Sequence, residues 1–298
     1  MTYESIACPA CGGTRHNAFL NVDDRFQVEP GRLYSIVECA ECRLLFLNPR
    51  PDADSIAAFY ATEEYDPFGS NSEAKSLSSR LYRLARPLSI RRKASRVVQN
   101  LKSGSKTLDV GCATGEFMLE LKRRGFQAYG VEPDPRAAEY ARDKFGLNVR
   151  QGGIEQASAE TGPYALITFW HVLEHVHRLR DNLTIAHRLL AENGRLSIAV
   201  PNPSSWDAQV YGRNWVAWDA PRHLYHFRPK VMMELLTHSG FRPVRAGAIA
   251  FDAFYHCVLS EQGGAMGLMR GGWRGSISFL RSILGLNGSS ELYFAYKQ

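Results

Sequence analysis

No stretch of the 298-residue chain approaches the roughly 20 apolar residues that a membrane-spanning helix needs, which excludes such a helix. The opening residues Met1 to Ile6 carry no apolar signal-peptide core, and a cytoplasmic protein is expected. There is no internal repeat and no low-complexity tract. Cysteine is scarce, with six residues, and a reducing compartment argues against disulfides. Acid is missing from Lys75 to Arg96, where eight Lys and Arg fall on a helical pattern that Pro87 should interrupt. A solvated basic face is the plain reading of that segment, and an anion-binding face is the other. What is present describes a globular chain: 45% hydrophobic residues, and enough length for one large core plus a small module. A formal charge of +6 favours anionic partners without saying which kind.

Four of the cysteines form two knuckles, Cys8-Pro9-Ala10-Cys11 and Cys39-Ala40-Glu41-Cys42. Thiolates two residues apart on a tight turn occupy adjacent corners of a tetrahedron, and the second pair closes it. That spacing predicts a structural Zn2+ ribbon over residues 1–50 with no open coordination position. Cys112 and Cys257 lack such partners and read as small buried apolar residues. After the ribbon, Asp54 is placed to cap a helix reaching Tyr60, and the Ser-rich residues 69–79 read as mobile.

The chain is organised around Thr107-Leu108-Asp109-Val110-Gly111-Cys112-Ala113-Thr114-Gly115-Glu116-Phe117, a short apolar strand, a glycine-spaced turn and the start of an amphipathic helix. Gly111 and Gly115 permit turn dihedrals closed to other residues and let a ligand approach backbone amides. A dinucleotide fingerprint would need glycine at 113 and 116, where Ala113 and Glu116 stand instead. A second strand, Gln127 to Val131, ends in Glu132, an acid positioned to accept hydrogen bonds from both hydroxyls of a ribose. Asp109 to Gly115 together with Glu132 resembles the first two motifs of class I S-adenosylmethionine-dependent methyltransferases, over roughly residues 105–298.

The resemblance implies an α/β fold: a doubly wound, mostly parallel seven-stranded Rossmann-like sheet with the small N-terminal zinc ribbon attached. It implies a helical linker or lid at 51–104, with Tyr60 and Tyr65 as lid residues, and a methyltransferase domain at 105–298. Its cofactor contacts would be Asp109, Gly111, Cys112, Gly115, Glu132, Pro133, Phe169, Trp170 and His171. The last strand, Glu291 to Lys297, would be an antiparallel seventh inserted between the fifth and sixth. Gly153 stands where relatives often carry an acid for adenine.

The fourth strand, Tyr164 to Trp170, runs into His171-Val172-Leu173-Glu174-His175. Within a helix this H-x-x-E-H run would be a zinc-protease motif, but a strand terminus removes that geometry. It resembles instead the post-strand motif of ubiquinone-pathway-like and sugar-modifying methyltransferases. Residues 202–228 then gather Trp206, Tyr211, Trp215, Trp218, Tyr225 and Phe227 among Asp207, Asp219, Arg222, His223 and His226. A long loop after a parallel strand is where acceptor contacts are built, with aromatics to stack on sugars. Asp219 to Leu224 resembles a segment of bacterial surface-polysaccharide and sugar-pathway methyltransferases. His223 is the first choice for general base, with His171 and His226 beside it. The insertion 252–289 holds an amphipathic run, Ile277 to Leu284, read as a wall of the acceptor pocket in preference to a peripheral membrane contact.

The expected function is methylation of O or C on a small-molecule acceptor from a sugar or glycan pathway, with nucleotide- and lipid-linked forms among the candidates. The zinc ribbon and basic helix also resemble ribosomal-RNA base methyltransferases, but the loop after the fourth strand lacks an Asn-Pro-Pro-Tyr base clamp, so nucleic acid is the lesser reading. A non-catalytic zinc-ribbon binding module is the third.

Overall fold

A computed structural model of the chain describes residues 1–61, 77–157 and 162–298, the side chains of 77–85 excepted. In chain order the strands are β1 (Tyr3–Glu4), β2 (His16–Asp23), β3 (Leu33–Cys39), β4 (Leu45–Leu47) and β5 (Arg50–Pro51). Helix α1 (Leu77–Val97) precedes β6 (Lys106–Val110), α2 (Glu116–Arg123), β7 (Gln127–Glu132), α3 (Pro135–Phe145), β8 (Asn148–Gln151) and β9 (Tyr164–Trp170). Then come α4 (Leu179–Leu189), β10 (Leu190–Pro201), α5 (Trp206–Tyr211), β11 (Tyr225–His226), α6 (Pro229–His238), β12 (Phe241–Ala248), α7 (Asp252–Leu259), α8 (Gly264–Ile283) and β13 (Ser290–Lys297).

Seven strands form the sheet β12-β13-β10-β9-β6-β7-β8. The pairs β6 with β7, β6 with β9, and β7 with β8 are parallel, as alternation with α2 and α3 requires. The last strand lies between the fifth and the sixth, as the resemblance implies. Local chemistry sets the helix ends: Asp134 caps α3 by accepting from the amides of Arg136 and Ala137, Pro135 opens its first turn, and left-handed Gly146 closes it.

Two compact units divide the chain: residues 1–64, 171–181 and 198–294, and residues 65–170, 182–197 and 295–298. In the first, β2, β3 and β4 of the cysteine hairpins are completed by β11 in a four-stranded sheet of order β11-β4-β3-β2. Tyr225 pairs with Phe46 and His226 with Leu45. In the second, Cys112, Met118, Ala138, Ala141, Leu147 and Val149 pack one face of the nucleotide-type turn into a core cluster.

Several local expectations change. Pro87 lies inside α1, which continues through it. Residues 56–59 make only a 3-10 turn, held by Asp52, whose carboxylate accepts from the Ser55 amide, and not by Asp54. Strand β10 begins at Leu190, directly after α4, and takes Asn193 and Gly194 into itself. Tyr65 and the Ser-rich residues 69–76 lie outside the described residues. The insertion 252–289 folds as α7 packed on α8, with Gly271 and Gly275 so close to Val258 and Phe254 that a Cβ would stand under 3.0 Å away. Among the described residues no helix is long and apolar enough to cross a membrane.

Candidate active site

The cofactor turn lies wholly in the second unit. Gly111, Ala113 and Gly115 all adopt left-handed backbone, with φ of 67°, 46° and 80°. The amides of Gly111 and Cys112 both donate to the Val131 carbonyl, at 2.8 and 3.1 Å. They are therefore spent on holding the turn, and the donors left for a ligand are the first-turn amides of α2. Cys112 contributes no side chain to a ligand either, because its thiol sits in the core cluster and burial pushes it well up from its ordinary pKa.

Glu132 ends β7 as expected. Its two oxygens accept from the Ala113 amide at 2.8 Å and the Asp134 amide at 2.9 Å, so each keeps a lone pair for a hydroxyl. Burial raises its pKa, and the two amides work against that rise. Asp109 is buried and accepts from the Thr168 hydroxyl at 2.6 Å, linking β6 to β9, and burial pushes its carboxyl up to about 7. Pro133 is exposed. Phe169 is fully buried in the sheet, whereas Trp170 is half-buried, 5.3 Å from the Phe117 ring and 5.0 Å from Lys93 Nζ. The buried Thr114 hydroxyl and Trp170 indole N–H have no hydrogen-bond partner. Orphaned polar atoms and a carboxylate with spare lone pairs fit an adenosyl-type ligand better than an empty turn.

The first unit gathers the other predicted residues. His171 follows β9 directly in left-handed conformation, φ 56°. Its Nε2 is 2.9 Å from Asp252 and its Nδ1 3.5 Å from Glu174. Burial alone would lower the imidazole pKa, but the two carboxylates raise it to about 9. His171 is therefore a cation at neutral pH and cannot serve as a base there. Glu174 is fully buried, and neither of its oxygens has a hydrogen-bond partner. Burial pushes its pKa up, and the His171 imidazolium more than offsets that.

His223 is brought beside Glu174 and His175 by a hydrogen bond from the Leu224 amide to the Glu174 carbonyl, 2.8 Å. One ligand atom from each of Glu174, His175 and His223 lies within 4.8 Å of the others. The His175 and His223 rings meet edge to face with centroids 4.6 Å apart, and burial lowers both pKa values, so both are neutral at pH 7. His226 is in β11 instead, edge-on to Trp218 at 4.9 Å. The aromatics expected to stack on a sugar are mostly core: Trp215 is buried and donates to Asp207, Trp218 is buried and donates to the Gly212 carbonyl, and Tyr225 and Phe227 are buried. A long loop of acceptor contacts was expected, but the segment adds β11 to the four-stranded sheet and sets Trp218 edge-on against Phe19 of β2.

Arg222 and Glu174 are the residues whose importance sequence reasoning underrated. Arg222 is 0% exposed and donates to Asp24 at 2.8 Å and to Asp219, tying the cysteine hairpins to the segment that carries His223. Burial opposes ionisation of Asp219, but Arg222 and Arg25 hold it well below the usual carboxylate range. Tyr60, the expected lid residue, places its hydroxyl 2.9 Å from His175 Nδ1.

The four knuckle cysteines converge with Sγ atoms of Cys8 and Cys42 3.4 Å apart and those of Cys11 and Cys39 3.5 Å apart. These separations exclude S–S bonds of about 2.05 Å and suit a tetrahedral thiolate set.

A family described as "Methyltransferase domain" matches residues 82–246, over half of the chain. Ubiquinone biosynthesis O-methyltransferase from Xanthomonas oryzae is 28% identical over 134 residues, 42% of this chain and 56% of that protein. The namesake from Methylocella silvestris is 28% identical over 178 residues, 57% of this chain and 65% of its own length. The chain thus spans less than two thirds of the curated relatives it matches. In fold it is similar to magnesium protoporphyrin IX methyltransferase from Synechocystis PCC 6803 with bound SAH, at TM-score 0.55 and 13% identity, covering 83% of this chain and all of that one. The order of the sheet, the turn at 109–115 and these likenesses agree, and the chain belongs to the methyltransferase-domain family, with the class I S-adenosylmethionine-dependent fold.

Proposed function

We propose that the chain methylates a hydroxyl of a small, polyhydroxylated acceptor of the sugar class, using S-adenosylmethionine, and that the Glu174, His175 and His223 cluster handles the hydroxyl. When bound, the cofactor supplies an electrophilic methyl on a sulfonium. Glu132 would hold its ribose, and the first turn of α2, opened by left-handed Gly115, would receive its polar tail. The observation that carries the acceptor reading is the cluster itself. A buried carboxylate and two neutral imidazoles, each ring keeping one nitrogen able to accept, bring a ligand atom apiece within 4.8 Å of one another, and a hydroxyl proton is a donor that such a set can take. Oxygen as the target is favoured by the curated relatives, which are O-methyltransferases. We further propose that the four knuckle cysteines hold a structural Zn2+.

Transfer of radiolabel from the cofactor into pools of free and nucleotide-linked sugars tests this reading. His223→Gln should slow turnover about 10²–10⁴-fold while leaving cofactor affinity within twofold. Unchanged turnover in that variant would remove the cluster from the chemistry. No calorimetric heat with S-adenosylmethionine would remove the whole reading.

A further inference from the structure

The cluster carries a second consequence because its three members share one defect. The Nδ1 of His223 lies 2.8 Å from the Ala217 carbonyl, and the Nδ1 of His175 lies 3.1 Å from the Arg222 carbonyl. A carbonyl only accepts, so the Nδ1 of His223 bears the hydrogen; the Nδ1 of His175 also lies 2.9 Å from the Tyr60 hydroxyl, which can accept as well as donate, and with the hydrogen on Nδ1 toward the carbonyl each Nε2 is left with its lone pair. Glu174 adds two oxygens with no hydrogen-bond partner, fully buried. The His171 imidazolium meets Glu174 at 3.5 Å, and a cation among the two lone-pair nitrogens and the carboxylate would relieve the repulsion that remains.

We propose that Glu174, His175 and His223 bind a divalent first-row cation, a two-imidazole, one-carboxylate site whose remaining positions take water or an acceptor hydroxyl. The ring tautomers match what metal-ligating imidazoles show, each pinned through its other nitrogen by a backbone carbonyl. The donor set suits Zn2+, Fe2+ or Co2+ over Mg2+. The H-x-x-E-H run thus supplies ligands from Glu174 and His175, while His171 turns away to Asp252, and the third ligand comes from 48 residues downstream. Surrounding charge is mixed: Asp219 Oδ2 lies 4.0 Å from His223 Nε2, and the His171 imidazole lies 3.5 Å from Glu174. Insofar as it touches catalysis the site rests on the proposed methyl transfer: a hydroxyl bound to the cation is more acidic, and His223 then acts as a ligand rather than a base.

The test uses the full chain with its cysteine site first loaded with one equivalent of zinc and then titrated with Co2+. The expected result is one further equivalent of saturable Co2+ with absorption free of thiolate charge-transfer bands. Glu174→Gln and His223→Asn should each weaken it at least tenfold. Should either variant fold poorly, paramagnetic shifts of the His175 and His223 ring protons in the wild-type chain give the same answer without mutation. Absence of a second equivalent, or wild-type Co2+ affinity in both folded variants, overturns the proposal. If His223→Gln still slows turnover while no second metal binds, the cluster works by proton acceptance alone: the cation site falls and the methyl-transfer reading stands. Loss of cofactor binding in an otherwise metal-competent chain would show the reverse.

Discussion

Gly115→Ala is the substitution whose cost the structure sets most directly. Gly115 caps the start of α2 at φ +80°, and a Cβ built there would lie 2.6 Å from Leu147 Cδ1 and 3.0 Å from Ala141 Cβ. Left-handed backbone costs an alanine about 1–2 kcal/mol. Forcing a methyl into a filled core costs about 1–3 kcal/mol more. The sum is about 2–5 kcal/mol. Gly146 is the internal control, since it is also left-handed, φ +58°, but a Cβ there meets nothing within 4 Å. Gly146→Ala should therefore show the backbone cost alone. Equilibrium urea unfolding without cofactor measures both, and unchanged m-values would show that the native state is what moved. Leu147→Ala removes the nearest obstacle, so the Gly115→Ala cost should shrink by about 1 kcal/mol in that background. If the two glycine variants lose the same stability, or if Leu147→Ala leaves the Gly115 cost intact, the close packing assigned to this turn is wrong.

Further outcomes follow from the other buried groups. Arg222→Met should destabilise the chain by about 3–5 kcal/mol in urea, because Asp24 and Asp219 lose a buried partner, and a loss below 1 kcal/mol would show that the ion pairs are not holding the segment. Asp109 has its folded pKa raised, so its contribution to stability is complete below about pH 4 and is lost as pH rises through about 7. Relative to Asp109→Asn, the cofactor-free wild type should lose on the order of 4 kcal/mol between pH 4 and pH 8, and parallel stability profiles would contradict this. A mercurial should release one thiolate-bound zinc per chain, detected with a metallochromic dye, and Cys39→Ser should abolish that release; a chain that never carries zinc would refute the structural site.

Much of the frame was legible from local chemistry. The strand Tyr164–Trp170 and the end of β7 at Glu132 fall where apolar runs and turn residues place them, because a strand and its turn are decided by neighbours in sequence. The four cysteines read correctly as a converging set for the same reason: a knuckle is a short-range geometry. The aromatic segment misled because composition carries no inward or outward sign. Trp215 and Trp218 are as apolar as stacking residues would be, and only packing sends them into the core.

By itself, then, the sequence determined the alternation of strands and helices, the glycine turn with its partner carboxylate, and the thiol cluster. Each rests on dihedral freedom or spacing within a few residues. Tertiary structure alone decided that the Gly111 and Cys112 amides are consumed by Val131, and that His171 is charged between Asp252 and Glu174. It also decided that His223 meets Glu174 and His175. Those outcomes depend on which distant groups share a buried space, where desolvation and facing charges set protonation, and no local pattern encodes that.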